Sequence, residues 1–205
     1  MFDPSEMDRR AMLGRMAFLL GATALPIEAL AKPARRAQRF LNPPRMRLLS
    51  AVADTMLPQT DTPGALAAKV PAKFDALLVN WASPERRVEL VGALTEIDAL
   101  ALKHEKKGFA ALSPEKRTAL LTPHDLASLK TVPDRRKLTG MLAMMAGPAY
   151  ANPGYAKLRD LIISLFFYSE DALTTVLTYE HTPGGWTPSI KVTPETRNTG
   201  GLGMF

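Results

Sequence analysis

Proline stands at the head of nearly every helical stretch this chain can form, and that placement limits it to short helices joined by irregular turns. There are 17 prolines in 205 residues, about 8% of the chain against an ordinary ~5%. Proline lacks the N–H that a helix interior needs but fits the first helical position, where that group has no intrahelical partner. Asn42-Pro43 pairs a polar cap with such a proline, and Met46, Leu49, Val52, Ala53 and Met56 then recur at spacings of three and four, so a helix is expected from about 43 to 57. Pro58 stops it, and Thr60 to Ala65 form a turn cluster whose Gly64 can take positive φ. Phe74, Leu77, Leu78 and Trp81 share one face of a short second helix.

Ser83-Pro84-Glu85 opens the clearest helix, with Val88, Val91, Leu94, Ile97 and Ala101 as its apolar stripe and Gly108 closing it. Ser113-Pro114-Glu115 and Thr122-Pro123 offer two further starts. Helical spacing returns over 135–146, through Leu138, Met141, Leu142 and Met145, where the methionines read as core filling. It is strongest from Tyr155 to Tyr168, through Leu158, Leu161, Ile162, Leu165 and Phe166. Ser169-Glu170-Asp171 then caps a brief helix reaching Leu177, and no alternating strand pair precedes that point. The expected fold is all-α, a compact array of short helices over 43–177 with an extended, mostly irregular C-terminal tail.

That tail, 178–205, holds 6 Thr, 5 Gly and 3 Pro in 28 residues, a composition that does not by itself build a core. Yet Tyr179, Trp186, Ile190, Val192 and Phe205 are spaced along it, and large side chains are costly to leave in water. The tail is either disordered or a strap lying in a partner's groove. The candidate interface residues are Phe167, Tyr168, Tyr179, Trp186 and Ile190.

Residues 1–31 read as an export address rather than as fold. Asp8-Arg9-Arg10-Ala11-Met12-Leu13 resembles a twin-arginine signal, with Arg9, Arg10 and Leu13 as its defining positions. Met16 to Leu25 is apolar but has half the length of a spanning helix. Ala29-Leu30-Ala31 places small residues at Ala29 and Ala31 for a signal peptidase, so cleavage is expected after Ala31, leaving 32–42 as a linker. The competing reading is an amphipathic N-terminal helix that packs on the domain. Loss of the leader removes three arginines and four acids, so the net charge of +6 becomes +7. A twin-arginine route carries folded proteins, and this chain lacks the residues for most cofactors, so its passenger can be a second protein.

The absence of cysteine removes disulfides, thiolate zinc sites, iron–sulfur clusters and covalent haem attachment together. His104, His124 and His181 lie far apart with no H-x-x-x-H pair, and no G-x-S-x-G elbow is present. Gly200-Gly201-Leu202-Gly203 opens no helix and so is no dinucleotide loop. Arg86-Arg87 and Lys103-His104-Glu105-Lys106-Lys107 are interleaved with acids and carry no aromatic platform, which argues against nucleic acid and for solvated helix ends. The reading assigns no catalytic, cofactor-binding or metal-binding residue to this chain. Its basic balance weakly favours an acidic partner surface or anionic lipid heads.

Several segments occur in a distinctive order: Met56-Leu57-Pro58, Thr60-Asp61-Thr62-Pro63-Gly64-Ala65, Val70-Pro71, Gly108-Phe109-Ala110-Ala111-Leu112-Ser113-Pro114, Leu165-Phe166-Phe167-Tyr168-Ser169-Glu170 and Tyr179-Glu180-His181-Thr182-Pro183-Gly184. Together, over roughly 45–185, they resemble the gluconate 2-dehydrogenase subunit 3 family. The resemblance implies the small subunit of a membrane-associated sugar or sugar-acid dehydrogenase. The partner it implies is an FAD-bearing large subunit of the glucose-methanol-choline oxidoreductase type, often with a multihaem cytochrome c as a third chain. It also implies that the small subunit holds no flavin or haem, is not an enzyme alone, supports folding and export of the flavoprotein, resides in the periplasm, and meets the membrane only through the complex. A free-standing exported helical adaptor with no flavoprotein partner is the alternative.

Overall fold

The computed structural model describes residues 39–134, 139, 141, 147–178, 189, 191–193, 196 and 197. Six α-helices occur among them: α1 (Pro43–Met56), α2 (Val70–Asn80), α3 (Pro84–Glu105), α4 (Pro114–Ser128), α5 (Pro153–Phe167) and α6 (Glu170–Thr175). A 3-10 turn, Phe109–Ala111, joins α3 to α4. Among the described residues there is no strand, only an isolated antiparallel bridge between Thr131 and Tyr150. The all-α expectation holds.

Four helices open as capping chemistry requires, whereas Ser113 at the head of α4 makes no side-chain cap bond. Asn42 Oδ1 accepts the Arg45 N–H at 3.1 Å, Ser83 Oγ accepts that of Arg86 at 3.3 Å, Asn152 Oδ1 accepts that of Tyr155 at 3.0 Å, and Ser169 Oγ accepts that of Ala172 at 3.1 Å. Each bond satisfies an N–H that the first helical turn leaves without an intrahelical acceptor. Helix α5 packs against α2, α3, α4 and α6, while α1 packs against the 3-10 turn, α2, α3 and α4. Between them lies one core whose largest enclosed side chains are Tyr155, Phe74, Phe109, Leu49, Leu78 and Leu90.

Four expectations are corrected. Thr122-Pro123 does not begin a helix: Pro123 lies inside α4, which runs on from Pro114 to Ser128. Its missing N–H leaves one rung of the ladder empty, and packing of Leu121 and Leu120 on the core carries the helix through. On α3 the inward face is Leu90, Ala93, Leu94, Ile97 and Ala101, so the last three lie as expected, while Val88 is exposed and Leu90, two residues on, faces the core at the start of the stripe. Helix α3 ends at Glu105, and Lys106, not Gly108, takes the left-handed conformation past its end, with φ 56°. Gly108 has φ −64° and leads into the 3-10 turn. Gly64 does not take positive φ; it is required by close backbone approach, since a Cβ there would lie 2.6 Å from Gln59 N and 2.7 Å from the Pro58 carbonyl carbon.

The start of the body is fastened. The side-chain Oδ1 of Asp75, a buried residue of α2, accepts the N–H groups of Phe40 at 3.1 Å and Leu41 at 2.7 Å. Leu41 is buried, and the Arg87 guanidinium lies over the Phe40 ring at 5.3 Å. Between α4 and α5, Val132 N–H donates to the Ala149 carbonyl and Ala151 N–H to that of Lys130, both at 2.9 Å, closing the base of the 133–148 segment. The helix expected over 135–146 falls outside the described residues apart from Thr139 and Met141, and Met141 is exposed rather than core.

A candidate interaction surface

Helix α5 ends where the expected interface begins. Phe166 is buried and meets Phe167 edge-on, with ring centroids 5.3 Å apart. Phe167 is half-buried and packs on the core cluster, and Tyr168, the C-cap of α5, is half exposed. Of the five candidate interface residues, these two stand side by side at one end of α5. Tyr179, Trp186 and Ile190 lie outside the described residues, as do the export positions Arg9, Arg10 and Leu13 and the cleavage positions Ala29 and Ala31.

Sequence reasoning placed Trp81 on the buried face of α2, and the structure reverses this. The side chain is 87% exposed. Helix α2 stops at Asn80 and Ser83 caps the next helix, so Trp81 sits in a two-residue elbow where the face-sharing period no longer applies. The cap signal at Ser83-Pro84 is the clue that could have placed it there. Beside it, a groove of about 560 Å³ is lined by Leu77, Ala82, Arg86, Leu90, Lys157 and Leu161. Arg86 and Lys157, both lining the groove, reach Glu89 at 2.6 and 2.7 Å. An indole left in water beside an apolar cleft is the kind of anchor that carries binding energy at protein interfaces.

A polar network joins α4 to α5 inside the body. The Tyr155 hydroxyl donates to Asp125 Oδ1 at 2.8 Å, and Arg159 Nε lies 3.2 Å from the same oxygen. Burial, reinforced by the bond to Asp125, pushes the phenol well above its ordinary value of 10.0, so it stays a proton donor and cannot serve as a base. His124 meets the Tyr155 ring edge-on at 4.7 Å, and its Nε2 lies 3.4 Å from Ser128 Oγ. These contacts tie α4 to α5.

Burial lowers the His124 imidazole below its ordinary value of 6.5, with Glu96 and Asp125 pulling the other way. The unfolded chain therefore takes up this proton more readily than the folded one, so the linked stability is present above about pH 6.5 and is lost as pH falls. The urea midpoint of the wild-type chain should drop between pH 7.5 and 5.5, and that of His124→Gln should drop less. Equal slopes for the two would show that the ring titrates alike in both states.

Among the described residues no three His, Asp or Glu side chains converge as metal ligands, and no helix is long and apolar enough to cross a membrane. A second groove, also about 560 Å³, runs between α3 and α4 and contains His104 and His124. Residues 43–184 match the family model described as gluconate 2-dehydrogenase subunit 3. No curated protein and no solved structure matches the chain.

Proposed function

The chain belongs to the gluconate 2-dehydrogenase subunit 3 family, and from that membership we propose that it is a non-catalytic accessory subunit of a periplasmic, FAD-dependent sugar, polyol or sugar-acid dehydrogenase. The flavin belongs to the large subunit, of the glucose-methanol-choline type, and a multihaem cytochrome c is the candidate third chain. This subunit assists folding and stability of the flavoprotein and supplies the twin-arginine leader for both. The observation that carries the reading is the family match, which spans the whole helical body and reaches the first residues of the tail.

The physical basis is mutual stabilisation. A partner that binds only the folded form adds to its stability in proportion to the logarithm of its excess over Kd, so each chain holds the other folded. The exposed Trp81 and the half-exposed Tyr168 supply surface for such binding. Membrane association follows from the complex rather than from this chain.

Co-expression with the large flavoprotein tests the proposal. The two chains should co-purify as a yellow complex at equal stoichiometry, and Arg9→Lys with Arg10→Lys should leave both in the cytoplasm, because an ammonium does not replace the guanidinium fork. A flavoprotein that is exported, stable and fully active without this chain would overturn the accessory role. An exported chain that purifies alone would favour the adaptor reading.

A further inference from the structure

We propose that the contacts of Phe40 and Leu41 with α2 and α3 are a processing stop. Proteases that shorten the chain from its N-terminus halt before Phe40, so the body keeps the same folded start wherever between 32 and 39 the trimmed end falls. The biological setting rests on the export reading above, whereas protection of the Arg39–Phe40 bond rests on the contacts alone. Arg35, Arg36 and Arg39 place three bonds of the kind trypsin-like enzymes cut just ahead of Leu41, the first buried member of the core.

A protease takes its substrate as an extended strand whose backbone groups pair with the cleft, so burial and hydrogen bonding of the residues around a bond decide whether it is cut. Arg39 is exposed and presents the side chain such an enzyme reads. Everything after the bond is engaged. The N–H groups of Phe40 and Leu41 both end on Asp75 Oδ1, at 3.1 and 2.7 Å, and Leu41 is 2% exposed. Asn42 caps α1, and Pro43 and Pro44 are already helical and have no N–H to offer a cleft.

Two elements hold the segment at once. Asp75 grips it from the middle of α2, and Arg87, in the first turn of α3, lays its guanidinium over the Phe40 ring at 5.3 Å while Nη2 donates to the Val79 carbonyl at 3.1 Å. The bond becomes a substrate only when 40–42 lift off both helices, which is a local unfolding step. Where opening and closing outpace cleavage, the rate of cutting reports the population of that opened form. A cut at any earlier bond removes nothing that the core uses.

The test treats the full chain with trypsin under native conditions and follows the Arg39–Phe40 bond by mass spectrometry. The end-capped peptide 37–44, which contains that bond and no other trypsin site, supplies the unprotected rate. The folded chain should be cut there about 100-fold more slowly than the peptide; equal rates would overturn the proposal. Asp75→Ala should be cut about 30-fold faster than wild type and Asp75→Asn within about threefold of it. Circular dichroism reports whether the body is intact. Should Asp75→Ala misfold, Arg87→Gln decides, with an expected acceleration of about threefold. Folded variants cut at the wild-type rate would show that these contacts do not protect the bond, and the proposal falls. The exported chain should begin between 32 and 40, and an end beyond Leu41 would overturn the stop. A leader still attached after export would remove the reading of 1–31 and leave the trypsin rates to decide the stop.

Discussion

Asp75→Ala should destabilise the body by about 2–4 kcal/mol, since two backbone N–H groups lose their acceptor and an unsatisfied buried donor costs about 1–3 kcal/mol. The carboxylate is 5% exposed, and its Oδ1 receives both Phe40 and Leu41. The thermal midpoint should fall by on the order of 10 °C. Asp75→Asn keeps a carbonyl oxygen at the same place and should recover most of the loss, which separates the hydrogen bonds from the charge. Hydrogen exchange at the Phe40 and Leu41 amides should quicken in Asp75→Ala alone. An alanine variant as stable as wild type, with those amides still protected, would mean that the fastening contributes nothing.

Gly64→Ala is expected to cost about 2–3 kcal/mol, at the upper end of what an added methyl group imposes on a close-packed site. The added Cβ would meet backbone on three sides: Gln59 N, the Pro58 carbonyl carbon and Leu57 O at 2.9 Å. None of these can turn away as the end of a side chain could. The same residues are held by Ala65 N–H on the Leu57 carbonyl at 2.8 Å and Gly64 N–H on Gln59 Oε1 at 3.0 Å, so relief of the clash breaks these bonds. Ala65 and Ala68 are buried just beyond, which carries the disturbance into the core. Urea denaturation of the variant measures it; an unchanged midpoint would show that the turn yields freely.

The sequence made the helix starts legible because a cap and a first-turn proline are local chemistry. Asn42, Ser83 and Ser169 each cap the helix they announce. Pro123 was misread because an interior proline and a first-turn proline look alike until packing decides between them. The stripe on α3 is as expected at Leu94, Ile97 and Ala101 but differs at its start, where Leu90 rather than Val88 faces inward, because its outer edge depends on which side α5 approaches. The order of family segments was readable and the match over 43–184 agrees with it. The surface was not readable in the same way. Trp81 is left in water by the abrupt end of α2, the groove near it joins residues from three helices, and Tyr155 meets Asp125 across 30 positions of chain. Such juxtapositions leave no periodic trace.

The paired backbone at 130–132 and 149–151 holds the ends of α4 and α5 together independently of what intervenes. The two helices are therefore set beside each other by residues outside 133–148, so a change of chain length within that span should leave their junction in place. Length variation should therefore accumulate there sooner than at the tightly packed turn around Gly64, and the site is the natural one for carrying an inserted tag or an added recognition element on an undisturbed helical frame.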